Sequence, residues 1–591
     1  MTDTAQTLWE LVLRAAERWP KRTAIQANGT TLTYQELTRE VNERAQELLS
    51  MGFGAGQGLA IEIHRGPEAY INILASLSIG MYYVPIGPDI PEKRQSYLLE
   101  QSSCTGTVRM MSGSSTETSI VRLKTVDTRA KTKTPEHADL LAYLMFTSGS
   151  SGKPKGVMMP HRGPVWHIKA MQELEPLTPD DRVLQKVPLS FDVSVREIFW
   201  TLSQGATLVA APPRSHLDAQ SVLDIADAER ITVLHFVPNL LRPFVDELAS
   251  DMCKNLRLVI CGGEPLSVDL AISLNRKSNA QLINVYGPTE TSIDVTSHSW
   301  SGAGRETVPI GRPLPGAEIN VVEVSSQAQL AIAGPALSWG YIGASGETAR
   351  RFRPQPGAHS QRMYLTGDAV TDSDWGFIYS HRVDEQFKFH GVRIEPGEIE
   401  ARLREHPEVN DVAVVVSHES TTNEAELVAT IVPYRASLVP QTNLGWSTSS
   451  ANDVMMLERD LKNFCREMLP GTHIPSAMRF VDELPRLTSG KIDRRSLRDP
   501  QDKSTLGLKD QDLDLSKFIA EIMGSVLNTT SYEMSDDFFL HGGHSLAVIR
   551  LLGALRRARP GILVSVRDIY DCPTPETLAI RVRSNTNDRS N

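Results

Sequence analysis

Cysteine is scarce in this chain: Cys104, Cys253, Cys261, Cys465 and Cys572 are scattered, odd in number and never spaced C-x-x-C. That argues against a disulfide framework or a zinc ribbon and fits a reducing compartment, so a cytoplasmic location is expected. Basic charge is not in excess either. Lys plus Arg number 61 against 71 Asp plus Glu, a net charge of −10, which leaves no electrostatic footprint for nucleic acid. Long apolar runs are missing, and the opening MTDTAQTLWE carries Asp3 and Glu10 where a secretory leader needs a basic start and an apolar stretch. Neither a nucleic-acid nor a membrane partner is expected. What is present is a globular balance, 40% hydrophobic and 22% charged. The 591 residues are too many for one ordinary domain and, at roughly 150 per unit, predict about four.

From about residue 58 to 300, short apolar runs alternate with amphipathic stretches. Strands are expected at 140–146, 206–210, 231–236, 256–261 and 282–286, with helices at 195–204 and 221–229. This alternation implies an α/β fold, a layered sheet with helices on its faces and ligands at the carboxyl ends of its strands. After about 315 the pattern turns strand-like, at 317–324 and 329–333. A smaller α+β unit is expected over 382–500, with a helix at 395–405, a strand at 412–416 and a polar insertion near QTNLGWSTSSAND. DPQDKSTLGLKDQD is charged, lacks apolar periodicity and reads as a linker. Beyond it, Leu515, Phe518, Ile519, Ile522 and Val526, and then Leu546, Ile549 and Leu552, recur at helical spacing, the mark of a small helical bundle. A frayed tail closes the chain.

Three loops carry possible chemistry. Phe146-Thr-Ser-Gly-Ser-Ser-Gly-Lys-Pro-Lys-Gly156 follows a strand, and its glycines admit phosphates close to the backbone while hydroxyls, N–H groups and lysines supply donors. It is not a Walker A loop, because Pro154 stands where Gly-Lys would be required. Asn284-Val-Tyr-Gly-Pro-Thr-Glu290 offers a ring to stack on a base, a hydroxyl for phosphate and a carboxylate for a hard cation. Thr366-Gly-Asp368 offers a carboxylate for two ribose hydroxyls. Each alone reads equally as a flexible loop, a turn or a hairpin.

Their order resolves the ambiguity. Thr-Leu-Thr-Tyr-Gln-Glu-Leu37, Tyr-Val-Pro-Ile86, the loop 146–156, FDVS at 191–194, NVYGPTE, YLTGD at 364–368, HRVDEQFKFHGVRIEPGEIE at 381–400 and SGKIDR at 489–494 follow one another along the chain. Together they resemble the adenylation domain of nonribosomal peptide synthetases, within the adenylate-forming (acyl-CoA synthetase and luciferase) superfamily. Asp537-Phe-Phe-Leu-His-Gly-Gly-His-Ser545-Leu looks like the attachment motif of a peptidyl carrier domain. The resemblance covers residues ~20 to ~585, and so many ordered motifs make coincidence remote. It implies an adenylation core over 1–381, a mobile C-terminal subdomain over 382–500, a linker at 501–512, a carrier over 513–585 and a tail at 586–591. Departures are small: Gly87, His381, His390 and Gln329 stand where other residues are usual.

The resemblance also implies a chemistry: a carboxylate is joined to ATP with release of pyrophosphate, and the acyl group is then handed to a thiol. ATP, Mg²⁺ and 4′-phosphopantetheine are the implied cofactors. Thr147, Ser148, Gly149 and Lys155 would hold the outer phosphates, Thr289 the α-phosphate and Glu290 the Mg²⁺. Tyr286, beside Gly287, would stack on adenine opposite Gly263 and Glu264, and Asp368 with Arg382 would bind ribose. Lys491 would neutralise substrate carboxylate and α-phosphate together, though without the family context a surface lysine is the simpler reading. Asp384 matches the hinge between half-reactions. Ser545, a simple N-cap on the bland reading, would carry phosphopantetheine at a helix start.

Aligned onto the family's pocket, Asp192, Val193, Arg196, His235, Val259, Cys261, Val285, Ile293 and Asp294, closed by Lys491, would contact the substrate. Asp192 stands where α-amino-acid activators keep a carboxylate for the ammonium. The string is similar to the serine-activating pattern at Asp192, Val193, His235, Ile293 and Asp294, but has Arg196 for the usual Trp and Cys261 for the usual Ser. L-serine is the expected substrate, with another small polar or acidic amino acid as the alternative. A free-standing acyl-CoA-type ligase would share the core motifs but needs no carrier, and an inactive scaffold would be expected to lack Glu290 or Lys491. The implied partners are a phosphopantetheinyl transferase and a condensation or tailoring enzyme in trans. The chain reads as a monomeric adenylation–carrier didomain, either a free-standing loader, the case that Met1 and the polar tail favour, or an initiation module cut from something longer.

Overall fold

The computed structural model describes residues 5–27, 29–110, 118–123, 137–149, 152–215, 218–249, 251–302, 307–324, 327–355, 361–389, 392–418, 425–434, 448–486, 491–498, 515–527, 529, 532–539, 541, 543, 545–559, 562 and 564–587. The expected linker, His390, Gly542 and most of the polar insertion fall outside these residues. The chain divides into two units. The first comprises residues 1–89, 95–147 and 154–393, and the second 90–94, 148–153 and 394–591.

The first unit is built on two large sheets. In the nine-stranded one, Thr23–Ala27, Thr207–Ala210, Arg182–Gln185, Val233–Phe236, Leu258–Gly262 and Gln281–Tyr286 lie parallel in that spatial order. Antiparallel strands close its edges. The parallel strands carry apolar residues on both faces, as burial from both sides requires, with Gln185, His235 and Asn284 among the buried polar exceptions. One face packs on the main core with Val183, Val233, Leu258, Ile260, Ile283 and Val285, and the other on a second cluster holding Leu184, Leu234, Phe236, Val259, Cys261 and Leu282. The six-stranded sheet runs Thr118–Arg122, Gly106–Met110, Gly58–Glu62, Tyr82–Pro85, Leu141–Thr147, Lys155–Pro160. The alternation expected from sequence is present, with strand ends shifted by one or two residues, and the late strands are Glu318–Val324 and Gln327–Ala333.

The helix expected at 195–204 begins earlier and is not regular. It runs Val193–Val195, widens into a π-helical turn over Arg196–Trp200 and closes at Thr201–Ser203. Such a turn inserts one residue into the helical ladder and re-aims the side chains around it.

In the second unit, Val409–His418 pairs antiparallel with Ala425–Pro433, which pairs parallel with Ala477–Phe480. Helices Pro396–Arg404 and Thr448–Arg466 accompany that sheet. The helices Leu515–Val526, Ser545–Ala558, Val566–Asp571 and Pro575–Asn587 bury Ile519, Met523, Phe538, Val548, Leu551, Leu555, Ile569 and Leu578 in one core. Among the described residues no helix is long and apolar enough to cross a membrane, and all five cysteines are free thiols.

Candidate active site

Asp192 precedes the irregular helix and is half-buried. Loss of solvation lifts its carboxyl to about 6; the Thr289 hydroxyl bound to it opposes the rise, and the neighbouring Asp294 adds to it. Arg196, first residue of the π turn, is 1% exposed and donates from Nη1 to Oδ2 of Asp294. Its Nη2 is buried without a hydrogen-bond partner. His235 is buried on Val233–Phe236, its Nδ1 also unpartnered. Burial, then the charges of Arg196 and Lys186, hold its ring far below the usual histidine range, hence neutral. Burial raises the Asp294 carboxyl, and Arg196 draws it back towards ionisation.

Strand register sorts the remaining residues expected at the substrate. His235 pairs with Ile260, and Phe236 with Cys261. Side chains alternate along a strand, so Val259 and Cys261 turn into the second cluster with Leu234 and Phe236. Ile260, unmarked by the motif alignment, occupies the face of His235 together with Val285. The structure therefore gathers Asp192, Val193, Arg196, His235, Val285, Ile293 and Asp294 on the main-core face and leaves Val259 and Cys261 on the other.

A second histidine touches this group. His167, on the helix Arg162–Leu174, is fully buried. Its Nδ1 lies 3.1 Å from the Asp294 carbonyl oxygen, and its Nε2 3.8 Å from Asp294 Oδ2. Burial and then the Arg196 charge press its pKa down to about 3.

The residues expected at the nucleotide form two neighbouring groups in the first unit. Tyr286 donates to Asp368 Oδ2 at 2.6 Å, and Arg382 donates to Asp368 Oδ1 at 2.8 Å. Arg382 also grips Asp384 with two bonds, at 2.6 and 2.8 Å, and Arg351 adds a third at 2.9 Å. Asp384 is thereby pulled below the ordinary carboxylate range against the upward push of burial. Gln329, one of the departures from the family pattern, accepts from the Gly367 amide at 3.0 Å and so braces the turn before Asp368. Gly263 has φ +92°, a conformation that requires glycine beside Glu264. At Gly287 a Cβ would lie 2.3 Å from the Ile293 carbonyl oxygen, so only glycine lets the 284–290 loop pass.

Glu290 is fully buried. Burial pushes its carboxyl up, but Arg393 and the Tyr341 hydroxyl outweigh that and hold it down to about 2. Arg393 Nη1 lies 2.9 Å from both oxygens, and Tyr341 donates at 2.7 Å. Lys155 is buried beside the Tyr341 ring and paired with Glu347 at 3.2 Å, within the same charge group. Tyr341 carries no sequence signal, whereas Arg393 lies inside the GVRIE stretch.

These residues fit the cofactors. Thr147 Oγ1 is buried without a partner at the end of its strand, an unmet polar atom suited to a phosphate oxygen. Glu290 is an ionised, buried carboxylate whose oxygens already bond Arg393 and Tyr341, so a hard cation there would share them with that pair and take the rest of its shell from phosphate oxygens. Among the described residues no cluster of three or more His, Cys, Asp or Glu could bind a metal without such help. Ser148 and Gly149 are buried and belong to the second unit. So do Lys491, which is exposed, and Ser545, which opens its helix where free N–H groups favour a phosphate. At Gly543 a Cβ would stand 2.3 Å from the Phe538 ring, so glycine there is a packing requirement.

Three family descriptions fit the chain: AMP-binding enzyme over residues 12–342, AMP-binding enzyme C-terminal domain over 398–491 and phosphopantetheine attachment site over 517–582. Vanchrobactin synthetase VabF of Vibrio anguillarum is 32% identical over 97% of this chain and 21% of its own length. Phosphinothricin tripeptide synthetase PhsB of Streptomyces viridochromogenes is 35% identical over 98% of this chain and 49% of its own. The chain thus spans half or less of these curated relatives. A holo NRPS protein containing adenylation and PCP domains, solved with a vinylsulfonamide inhibitor, superposes with TM-score 0.76 at 23% identity, covering 98% of this chain and 96% of its own; that likeness is one of fold.

Proposed function

The chain belongs to the AMP-binding enzyme family, in which it is an amino-acid adenylating ligase joined to a carrier domain, and from that premise we propose that it activates L-serine as seryl-AMP and passes it to a phosphopantetheine thiol on Ser545. Asp192 pairs with the substrate ammonium, and Lys491 neutralises the reacting carboxylate and the α-phosphate as they approach. Tyr286, Asp368 and Arg382 receive the nucleoside, Thr147, Ser148, Gly149 and Lys155 the outer phosphates, and Thr289 the α-phosphate. Glu290 holds Mg²⁺, which supplies positive charge to the phosphates when bound. Asp384 is the hinge between the two half-reactions. A phosphopantetheinyl transferase primes Ser545, and a condensation or tailoring enzyme receives the product, in the cytoplasm where free thiols such as these five persist.

The observation that carries serine is the polar pocket floor: buried Arg196 Nη2 and His235 Nδ1, both without partners, beside the Asp294 carboxylate. An apolar side chain leaves those atoms unmet, and a site built for a hydroxyl rejects the analogue lacking it. Arg196 is already neutralised by Asp294, so an acidic side chain would bring an uncompensated buried charge. A pyrophosphate-exchange screen of the amino acids is the test. Serine should lead, with alanine and aspartate at least about tenfold lower. Serine no better than alanine contradicts the proposal, and aspartate ahead of serine, with the order reversed by Arg196→Trp, establishes the acidic alternative instead.

A further inference from the structure

We propose that His167 is a positioning residue of the amino-acid pocket, clasping Asp294 by its backbone and turning its carboxylate towards Arg196. The inference rests on reading the group around Asp192, Arg196 and Asp294 as the amino-acid site. Asp294 follows two residues in left-handed backbone conformation, Ser292 at φ 59° and Ile293 at φ 74°. For a β-branched side chain such as Ile293 that region is strained. A strained turn persists only where its surroundings over-determine it. Here they do: Gly287 leaves room for the Ile293 carbonyl, Val295 donates to Tyr286 at 2.8 Å, and His167 grips the Asp294 carbonyl from the neighbouring helix.

His167 differs from the other restraints in touching both ends of Asp294. The carbonyl can only accept, so Nδ1 carries the ring proton and Nε2 presents a lone pair. That lone pair has no hydrogen-bond partner and stands 3.8 Å from Asp294 Oδ2. Two acceptors gain nothing from each other. The carboxylate oxygen instead takes its hydrogen bond from Arg196 Nη1. The tautomer fixed by the backbone contact thus sets the direction in which the pocket's carboxylate points, and with it the polarity the substrate side chain meets.

The test uses the full chain in pyrophosphate exchange with whichever amino acid the wild type prefers. His167→Phe should raise the KM for that amino acid about tenfold, the scale of one lost polar contact. It should leave kcat and the KM for ATP within about twofold, as expected when only substrate binding is touched. His167→Asn, whose amide N–H can reach the same carbonyl, should stay close to wild type. If His167 acts through Asp294, the pair H167F/D294N should be no worse than D294N alone. Equal losses in both KM values, H167N as poor as H167F, or penalties that multiply in the double variant each overturn the proposal. Should H167F fail to fold, His167→Gln, with its amide at the wrong ring position, replaces it with the same expectation. A wild-type chain without amino-acid-dependent exchange sinks the pocket reading and the proposal with it; an active wild type with an indifferent H167F sinks the proposal alone.

Discussion

At Asp192, a carboxyl lifted to about 6 must be ionised to take the role proposed for it, pairing with the substrate ammonium, and that role predicts the pH dependence of substrate capture. Above pH 6 the carboxylate is charged and binding is intact; below it the group takes up a proton and the charge-assisted pair is lost. At saturating ATP, kcat/KM for the amino acid should fall about tenfold per pH unit on the acid side of an apparent pKa near 6. Asp192→Asn should abolish that limb and lower kcat/KM at pH 7.5 by about a hundredfold. Persistence of the limb in D192N would assign it elsewhere. That Asp192, Arg196 and Asp294 would lie together was legible in the sequence because ordered motifs fix their positions. Val259 and Cys261 show the limit: a spacing of two puts both on one face of a strand but does not say which face, and register against His235 decided it. His167 and Ile260 had no signal, one reading as an ordinary helical histidine and the other as an ordinary strand apolar residue.

Among the elements, the alternation of apolar runs made the parallel sheet legible, because strands buried on both faces read as continuous hydrophobic stretches. The π-helical turn at Arg196–Trp200 was not, since its apolar spacing passes for an ordinary helix and only the backbone shows the extra residue. The strand pair Asp368–Thr371 and Ile378–Arg382 bears most directly on the proposed hinge, because Arg382 joins Asp368 to Asp384 just beyond it. Asp384→Pro fixes φ at the proposed hinge. It should leave amino-acid-dependent exchange within about fivefold, the ion pairs being removed but the nucleotide residues kept, and should block aminoacylation of the carrier. Exchange and transfer lost in equal measure would mean a damaged nucleoside corner, and transfer at the wild-type rate would place the hinge elsewhere.

For the whole molecule, the domain order was readable because each unit carries its own motif, and the matches at 12–342, 398–491 and 517–582 follow that order. Where the units divide was less readable: the compact first unit runs on to Arg393, which binds Glu290, so Asp384 lies within it. On the proposed function, one chain both activates serine and carries it. Intact-mass measurement tests it most directly, on chain primed with CoA and a broad phosphopantetheinyl transferase and then given ATP, Mg²⁺ and L-serine. The chain should show one addition of about 340 Da on priming and a further gain of about 87 Da with serine, Ser being the modified residue type. Ser545→Ala should show neither gain, and Lys491→Ala should prime normally but load serine about two to three orders of magnitude more slowly, as for loss of one preorganised charge. A primed chain that gains no serine mass, or an S545A chain that still does, would contradict it.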